Sequence, residues 1–126
     1  MNLQDRMDLL QRLRDHMLSA DEAWLAARDK AHYQNPWFLP EFISLQVSQI
    51  CNLLLDPNVL KEAATRYRIP GERPEPKTVG LVMAGNIPLV GFHDMLCIWL
   101  AGHKQVIKPS SKDEVLIRYI VGHMTS

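Results

Sequence analysis

Apolar residues return every three or four positions at the start of the chain: Leu3, Met7, Leu10, Leu13 and Met17, with Gln4, Asp5, Asp8, Gln11 and Arg12 between them. That spacing lays a single apolar stripe along an α-helix and predicts an amphipathic helix over 3–17. Ser19-Ala-Asp-Glu22 has the form of a capping box, with the serine oxygen accepting a free backbone N–H and Glu22 reaching back. A second helix is expected from about Ala20 to His32, with Trp24, Ala27 and Ala31 turned inward. Asn35-Pro-Trp-Phe-Leu-Pro40 interrupts the pattern, and Pro40 suits the first position of a third helix. That helix is apolar over a broad face through Phe42, Ile43, Val47, Ile50, Cys51 and Leu54, which marks it as buried. Asp56-Pro57, a cap followed by a proline, opens a short fourth helix ending near Tyr67.

The pattern then changes. Ile69 to Lys77 holds three prolines and a glycine and reads as an exposed connection. Thr78 to Ala84 is an apolar run without alternation, the signature of a strand covered on both faces in a parallel sheet, and Gln105 to Ile107 is its counterpart. Between them Leu89 to Ala101 is apolar nearly all round, and Gly102 suits the left-handed residue after a helix end. Ser111-Lys-Asp-Glu114 is a second capping box, opening a last helix whose apolar side is Val115, Ile117, Ile120 and Val121.

The expected organisation is α/β: a helical N-terminal layer over 1–68, a Pro-rich connection over 69–77, and a strand-helix-strand-helix unit over 78–126. Two parallel strands with one right-handed crossover leave strand edges unpaired and one sheet face thinly covered. The unit therefore reads as the opening of a larger doubly wound domain, and the chain as a piece of a longer protein. The free edges also allow a homo-oligomer.

Fourteen basic residues balance fourteen acidic ones, so there is no global field to attract nucleic acid. The charged N-terminus excludes a secretory leader, and no apolar stretch is long enough to span a membrane, so the cytoplasm is the expected compartment. Cys51 and Cys97, far apart within helical patterns, are expected to be reduced and buried. The five histidines show no metal-ligand spacing, and no metal site is expected. His93 and Asp94, adjacent on a helix, are not expected to face each other.

Candidate chemistry gathers at Gly85-Asn86-Ile87-Pro88-Leu89, where a strand ends and a helix begins. One reading is a tight turn with Asn86 as N-cap and the proline in the first helical turn. The other gives the Asn86 amide to a developing oxyanion. Lys108, at the end of the second strand, is either a solvated strand end or a cation for ribose hydroxyls or a phosphate. Neither the G-x-G-x-x-G fingerprint nor a P-loop occurs.

From Thr78 to Ser111, about a quarter of the chain, the order and spacing resemble the aldehyde dehydrogenase superfamily. The residues that carry the resemblance are Val79-Gly-Leu-Val-Met, then Asn86-Ile-Pro-Leu, a helix ending Leu100-Ala-Gly102, and Val106-Ile-Lys-Pro-Ser110. With Asn35-Pro-Trp-Phe in a long helical N-terminus, the chain is most similar to acyl-CoA reductases of the bioluminescence fatty-acid-reductase type. The resemblance implies reduction of a fatty acyl-CoA thioester to an aldehyde, with an enzyme cysteine taking the acyl group and a nicotinamide supplying hydride. It implies that Asn86 holds the oxyanion and that Lys108 contacts the adenosine ribose, with Ser110 and Ser111 beside it. Ser111 stands where NAD-preferring members carry a glutamate and Lys112 is adjacent, so NADPH is the implied cofactor, although Ser111 also serves as a plain N-cap. The family's nucleophilic cysteine lies downstream of the Lys-Pro-Ser strand, so this chain alone is expected to be inactive. The alternative is a small α/β interaction module or subunit, with the Gly-Asn turn purely structural.

Overall fold

A computed structural model describes residues 1 to 125; Ser126, the last residue of the expected C-terminal unit, lies outside them. The chain is α/β and mostly helical, in the order α1 (Leu3–Met17), α2 (Glu22–Gln34), α3 (Pro40–Gln49), α4 (Pro57–Arg66), β1 (Thr78–Val82), α5 (Phe92–Ala101), β2 (Lys104–Lys108) and α6 (Glu114–Thr125). The two strands pair in parallel, Thr78 opposite Lys104 and Val82 opposite Lys108. No helix is long and apolar enough to cross a membrane among the described residues.

The expected α1 is found with the expected boundaries, and it carries a cap of its own: Asn2 accepts the Asp5 N–H while Asp5 accepts the Asn2 N–H. Arg6 is buried on this helix. Its guanidinium donates to the Leu100 carbonyl at 3.3 and 3.2 Å and to the Met1 carbonyl at 3.0 Å. Arg73 donates to the neighbouring Ala101 carbonyl at 2.6 Å. Two cations thus satisfy the carbonyls at the negative end of the α5 dipole. Gly102, at φ 86°, closes α5 as expected, and a Cβ there would stand 2.8 Å from the Arg6 guanidinium carbon.

Trp24, Ala27 and Ala31 of α2 point inward as expected. The N-cap is Asp21 rather than Ser19: its carboxylate accepts from Ala23 and Trp24, while Ser19 bonds back to the His16 carbonyl. An aspartate one residue before the helix reaches the first free N–H groups, and an oxygen two residues earlier does not. The α3 helix runs into a π-helical turn at Ile50–Leu54. Only one side of it is buried (Ile43, Val47, Ile50 and Cys51), whereas Phe42, Leu45 and Leu53 are exposed, so it is not the buried helix its composition suggests. Asp56 caps α4 as expected, accepting from Asn58 and Val59.

Residues 69 to 77 hold no helix or strand, and their ends are fastened: Gly71 accepts the Leu3 N–H, and Lys77 accepts the Lys104 N–H. One apolar core runs from α1 to α6 across this connection. It includes Leu10, Leu13, Trp24, Ile43, Leu60, Phe92, Leu96, Leu116 and Ile120. The α2 helix packs along α6, and α1 against α5 and α6.

The sheet departs from the expected double coverage. Val79, Leu81, Gln105 and Ile107 lie on the half-buried side, toward α5 and α6. Thr78, Gly80, Val82, Lys104, Val106 and Lys108 form an open face on which Val82 is 79% and Val106 65% exposed. Both helices pack on one side, so apolar composition alone overstated the burial.

Candidate functional site

The chain folds so that the loop after β1 and the loop after β2 meet at the C-terminal ends of the strands. Gly85 is the point of contact: a Cβ there would run into the Oγ and Cβ of Ser110 and come within 3.3 Å of the Lys112 Cβ. Only glycine lets the backbone bearing Asn86 lie this close to the Ser110–Lys112 turn. The Ser110 hydroxyl accepts the Lys112 N–H at 3.2 Å, and the Ser110 carbonyl accepts the Asp113 N–H at 3.0 Å.

The α2 C-terminus and the turn after it close the third side. Asn35, the C-cap of α2, donates from Nδ2 to the Lys112 carbonyl at 3.0 Å and accepts the Trp37 N–H at 3.2 Å. The result is a cleft of about 500 Å³ lined by Gln34, Asn35, Trp37, Phe38, Gly85, Asn86, Ser111 and Lys112. Its lining holds amides, a hydroxyl, two aromatic rings and one cation, and no carboxylate. Trp37 is 88% exposed at the rim.

Asn86 and Ser111 therefore share a wall of one cleft, and Ser110 sits behind it against Gly85. Lys108 does not join them: it stands opposite Val82 on the open face of the sheet. The cation that reaches the cleft is Lys112.

Asn86 is not an N-cap. The expected helix start at Leu89 is displaced to Phe92, with Gly91 at the cap and no side-chain bond. Leu89 has φ 59°, a left-handed conformation that a right-handed helix cannot contain, so residues 87 to 91 form turns instead. The Asn86 side chain is exposed and bonds no other side chain or backbone group among the described residues. Similarly, Ser111 is exposed in a turn and α6 begins only at Glu114, so Ser111 is not its cap. Leu116 is buried on α6, whereas Val115 and Val121 are half-buried.

The position before α6 belongs to Asp113, which the sequence reading passed over because Ser111 took the cap role. Asp113 is 3% exposed. Its Oδ2 accepts the Leu89 N–H at 2.6 Å, and its Oδ1 has no partner. Burial pushes this carboxyl up to about 7, while the Leu89 bond pulls the other way. A small cavity of about 20 Å³, lined by Asp113, Ser111, Gln34, Asn35 and Phe38 among others, adjoins the cleft.

Neither cysteine lines the cleft. Cys51 is buried as expected and its thiol is pushed up to about 11 by burial. Cys97 is exposed, contrary to expectation, because it falls on the solvent side of α5 between the buried Leu96 and Leu100. Burial of the sulfur and then the Asp94 carboxylate push its thiol up as well. His93 and Asp94 do approach, at 3.9 Å, as an exposed pair of little energetic weight. Among the described residues no group of three His, Cys, Asp or Glu side chains is placed so that it could hold a metal ion. No family model, no curated protein and no solved structure matches the chain.

Proposed function

We propose that this chain is the N-terminal part of an NADPH-dependent acyl-CoA reductase with an aldehyde-dehydrogenase-like nucleotide-binding domain, acting on a fatty acyl thioester in the cytoplasm. The observation that carries the reading is the cleft at the ends of two parallel strands, where Asn86, Ser111 and Lys112 converge. Ligands of open α/β sheets collect at such strand ends. The resemblance of Thr78 to Ser111 to that superfamily supports the same assignment.

The residues present suit an anionic nucleotide: the cleft lining offers one ammonium group and several neutral donors, without a carboxylate to repel phosphate. NADPH, when bound, supplies the hydride. Lys112 pairs with the 2′-phosphate, and the Ser111 hydroxyl, in place of an acidic side chain, donates to it. The ribose that carries this phosphate would lie at the cleft, whereas Lys108 stands on the open face, so the ribose contact that the resemblance implies for Lys108 has no support in this arrangement. The Asn86 side-chain N–H donates to the thioester carbonyl oxygen as that oxygen gains negative charge. The acyl-accepting thiolate has to come from another segment, because Cys51 is buried and protonated at neutral pH and neither thiol reaches the cleft.

The natural gene product should therefore have several times the mass of this chain. It should bind NADPH more tightly than NADH, and Lys112→Glu should remove that preference. Equal affinity for the two cofactors before and after the substitution would remove Lys112 from the assignment, and a natural product of this size alone would end the proposal.

A second reading is favoured by one observation, the open sheet face with Val82 and Val106 exposed between Lys104 and Lys108. On that reading the chain is an interaction module or subunit whose sheet is covered by a partner or a second copy, and the Gly-Asn turn is structural. Sedimentation of this chain distinguishes a monomer from a self-associating species.

A further inference from the structure

The loop that carries Asn86 has an anchor outside itself. Leu89 is buried, yet it holds a left-handed backbone conformation that is costly for a leucine, and no glycine or asparagine occupies the position to relieve it. Such a conformation persists only where surrounding structure imposes it. The contact that imposes it is visible: the Leu89 N–H donates at 2.6 Å to a carboxyl buried at the start of α6. The intervening turn is short and closed by its own bonds, Val90 N–H to the Ile87 carbonyl at 3.2 Å and Phe92 N–H to the Leu89 carbonyl at 3.0 Å. Pro88, fully buried, removes one more degree of freedom between Asn86 and Leu89.

We propose that Asp113 is the positioning residue of the Asn86 loop: by accepting the Leu89 N–H it fixes the left-handed turn and so sets where the Asn86 amide stands in the cleft. The inference rests on Asn86 being a functional group of the cleft, and it adds the residue that acts through it.

Asp113 is also able to make that position depend on protons. One of its oxygens is buried without a partner, so the ionised form leaves a charge facing no donor. The charged groups beside it, Lys112 and Glu114, come from its own segment. The α2 end faces it with Ala31, Gln34, Asn35 and Phe38, none of which titrates; farther along α2, Lys30 shares a cleft with Gln34 and Glu114, and His32 is bonded to the Phe38 carbonyl. From the β1 side it meets the backbone of Leu89. Burial already pushes the carboxyl into the neutral range. The Leu89 N–H bond is stronger to the ionised carboxyl, whereas burial of the unpartnered Oδ1 disfavours that form, so the bond that holds the turn changes strength as Asp113 gains or loses its proton.

The test is an NMR titration of the protein, following the Leu89 backbone amide and the Asn86 side-chain amide from pH 5 to 9. Both are expected to titrate together with a midpoint near that of Asp113, and in Asp113→Asn, which keeps an acceptor for Leu89, neither should titrate. In Asp113→Ala the Asn86 resonance should move and the Leu89 amide should exchange about tenfold faster, the loss of one strong hydrogen bond, while the Leu13 amide in α1 is unchanged. An Asn86 amide that ignores pH and both substitutions, or that titrates identically in Asp113→Asn, overturns the proposal. If the alanine variant unfolds, the asparagine variant and the pH series decide alone. Because these readouts need no turnover, absence of acyl-CoA reduction would refute the reductase assignment without touching this result.

Discussion

Gly85→Ala forces apart the two loops that form the cleft. The new Cβ would overlap the Oγ and Cβ of Ser110, and relief requires a movement of roughly 1 Å to restore ordinary contact distances. The Lys112 Cβ at 3.3 Å blocks the other direction, so the neighbour cannot simply rotate away. Overpacking of this kind costs about 1 to 3 kcal/mol. For a domain of this size that corresponds to a fall in Tm of very roughly 4 to 12 °C. The partner substitution identifies the cause. Ser110→Gly alone loses the Lys112 N–H bond and adds backbone freedom, about 1 to 2 kcal/mol together. In the double variant the overlap is gone, so its stability should match Ser110→Gly rather than the sum of the two losses. The coupling energy, read from urea denaturation of the four proteins, should be about 1 to 3 kcal/mol and favourable. Additive losses, or a Gly85→Ala protein as stable as the parent, would refute the close approach of the two loops and with it the shape of the cleft.

Two further outcomes follow from titratable groups. Asp113 holds its proton in the folded protein up to about 7 and releases it in the ordinary carboxylate range when unfolded, so the folded state binds more protons between those limits. Stability from this group is therefore fully present below the ordinary carboxylate value and is lost as pH rises through about 7. The loss is at most on the order of 4 kcal/mol, reduced by the positive end of the α6 dipole, which favours the anion. Urea midpoints of Asp113→Asn should accordingly gain on the parent between pH 4 and pH 8, and parallel curves would contradict the burial of this carboxyl. A disulfide reagent should modify Cys97 in the folded protein and Cys51 only after denaturation, given their exposures; equal rates for the two thiols would contradict the burial of Cys51 in the core.

Local pattern carried most of the fold. The three-and-four spacing of Leu10, Leu13 and Met17 needs no tertiary information, and α1 appears with its expected ends. Asp56-Pro57 and Gly102 work through backbone chemistry alone, and both perform as expected. What escaped depends on residues distant in sequence. Arg6 is buried because the α5 carbonyls need a cation 94 positions away, and nothing next to Arg6 announces that. Leu89 takes a left-handed conformation because of Asp113, so the apolar run from Leu89 read as helix where the chain turns. The sheet face was misjudged since composition shows that residues are apolar and not which side the helices take.

The candidate site was legible in the same uneven way. Asn86 and Ser111 stand out at the ends of the strands, and the structure brings both to one cleft. Lys108, adjacent in the motif, points to the other side because strand residues alternate, whereas Lys112 reaches the cleft from the turn. Trp37 and Asn35 belong to the site through the packing of α2 on α6, which no short motif encodes.

The central claim is that Asn86 holds an oxyanion in an acyl-CoA reductase. It is tested most directly by following NADPH oxidation by the complete natural protein with a long-chain acyl-CoA, before and after Asn86→Ala. Turnover in the parent and a loss of roughly a hundredfold in kcat, with folding intact, is the predicted result. No NADPH consumption by the parent, or an unchanged rate in the variant, would contradict it.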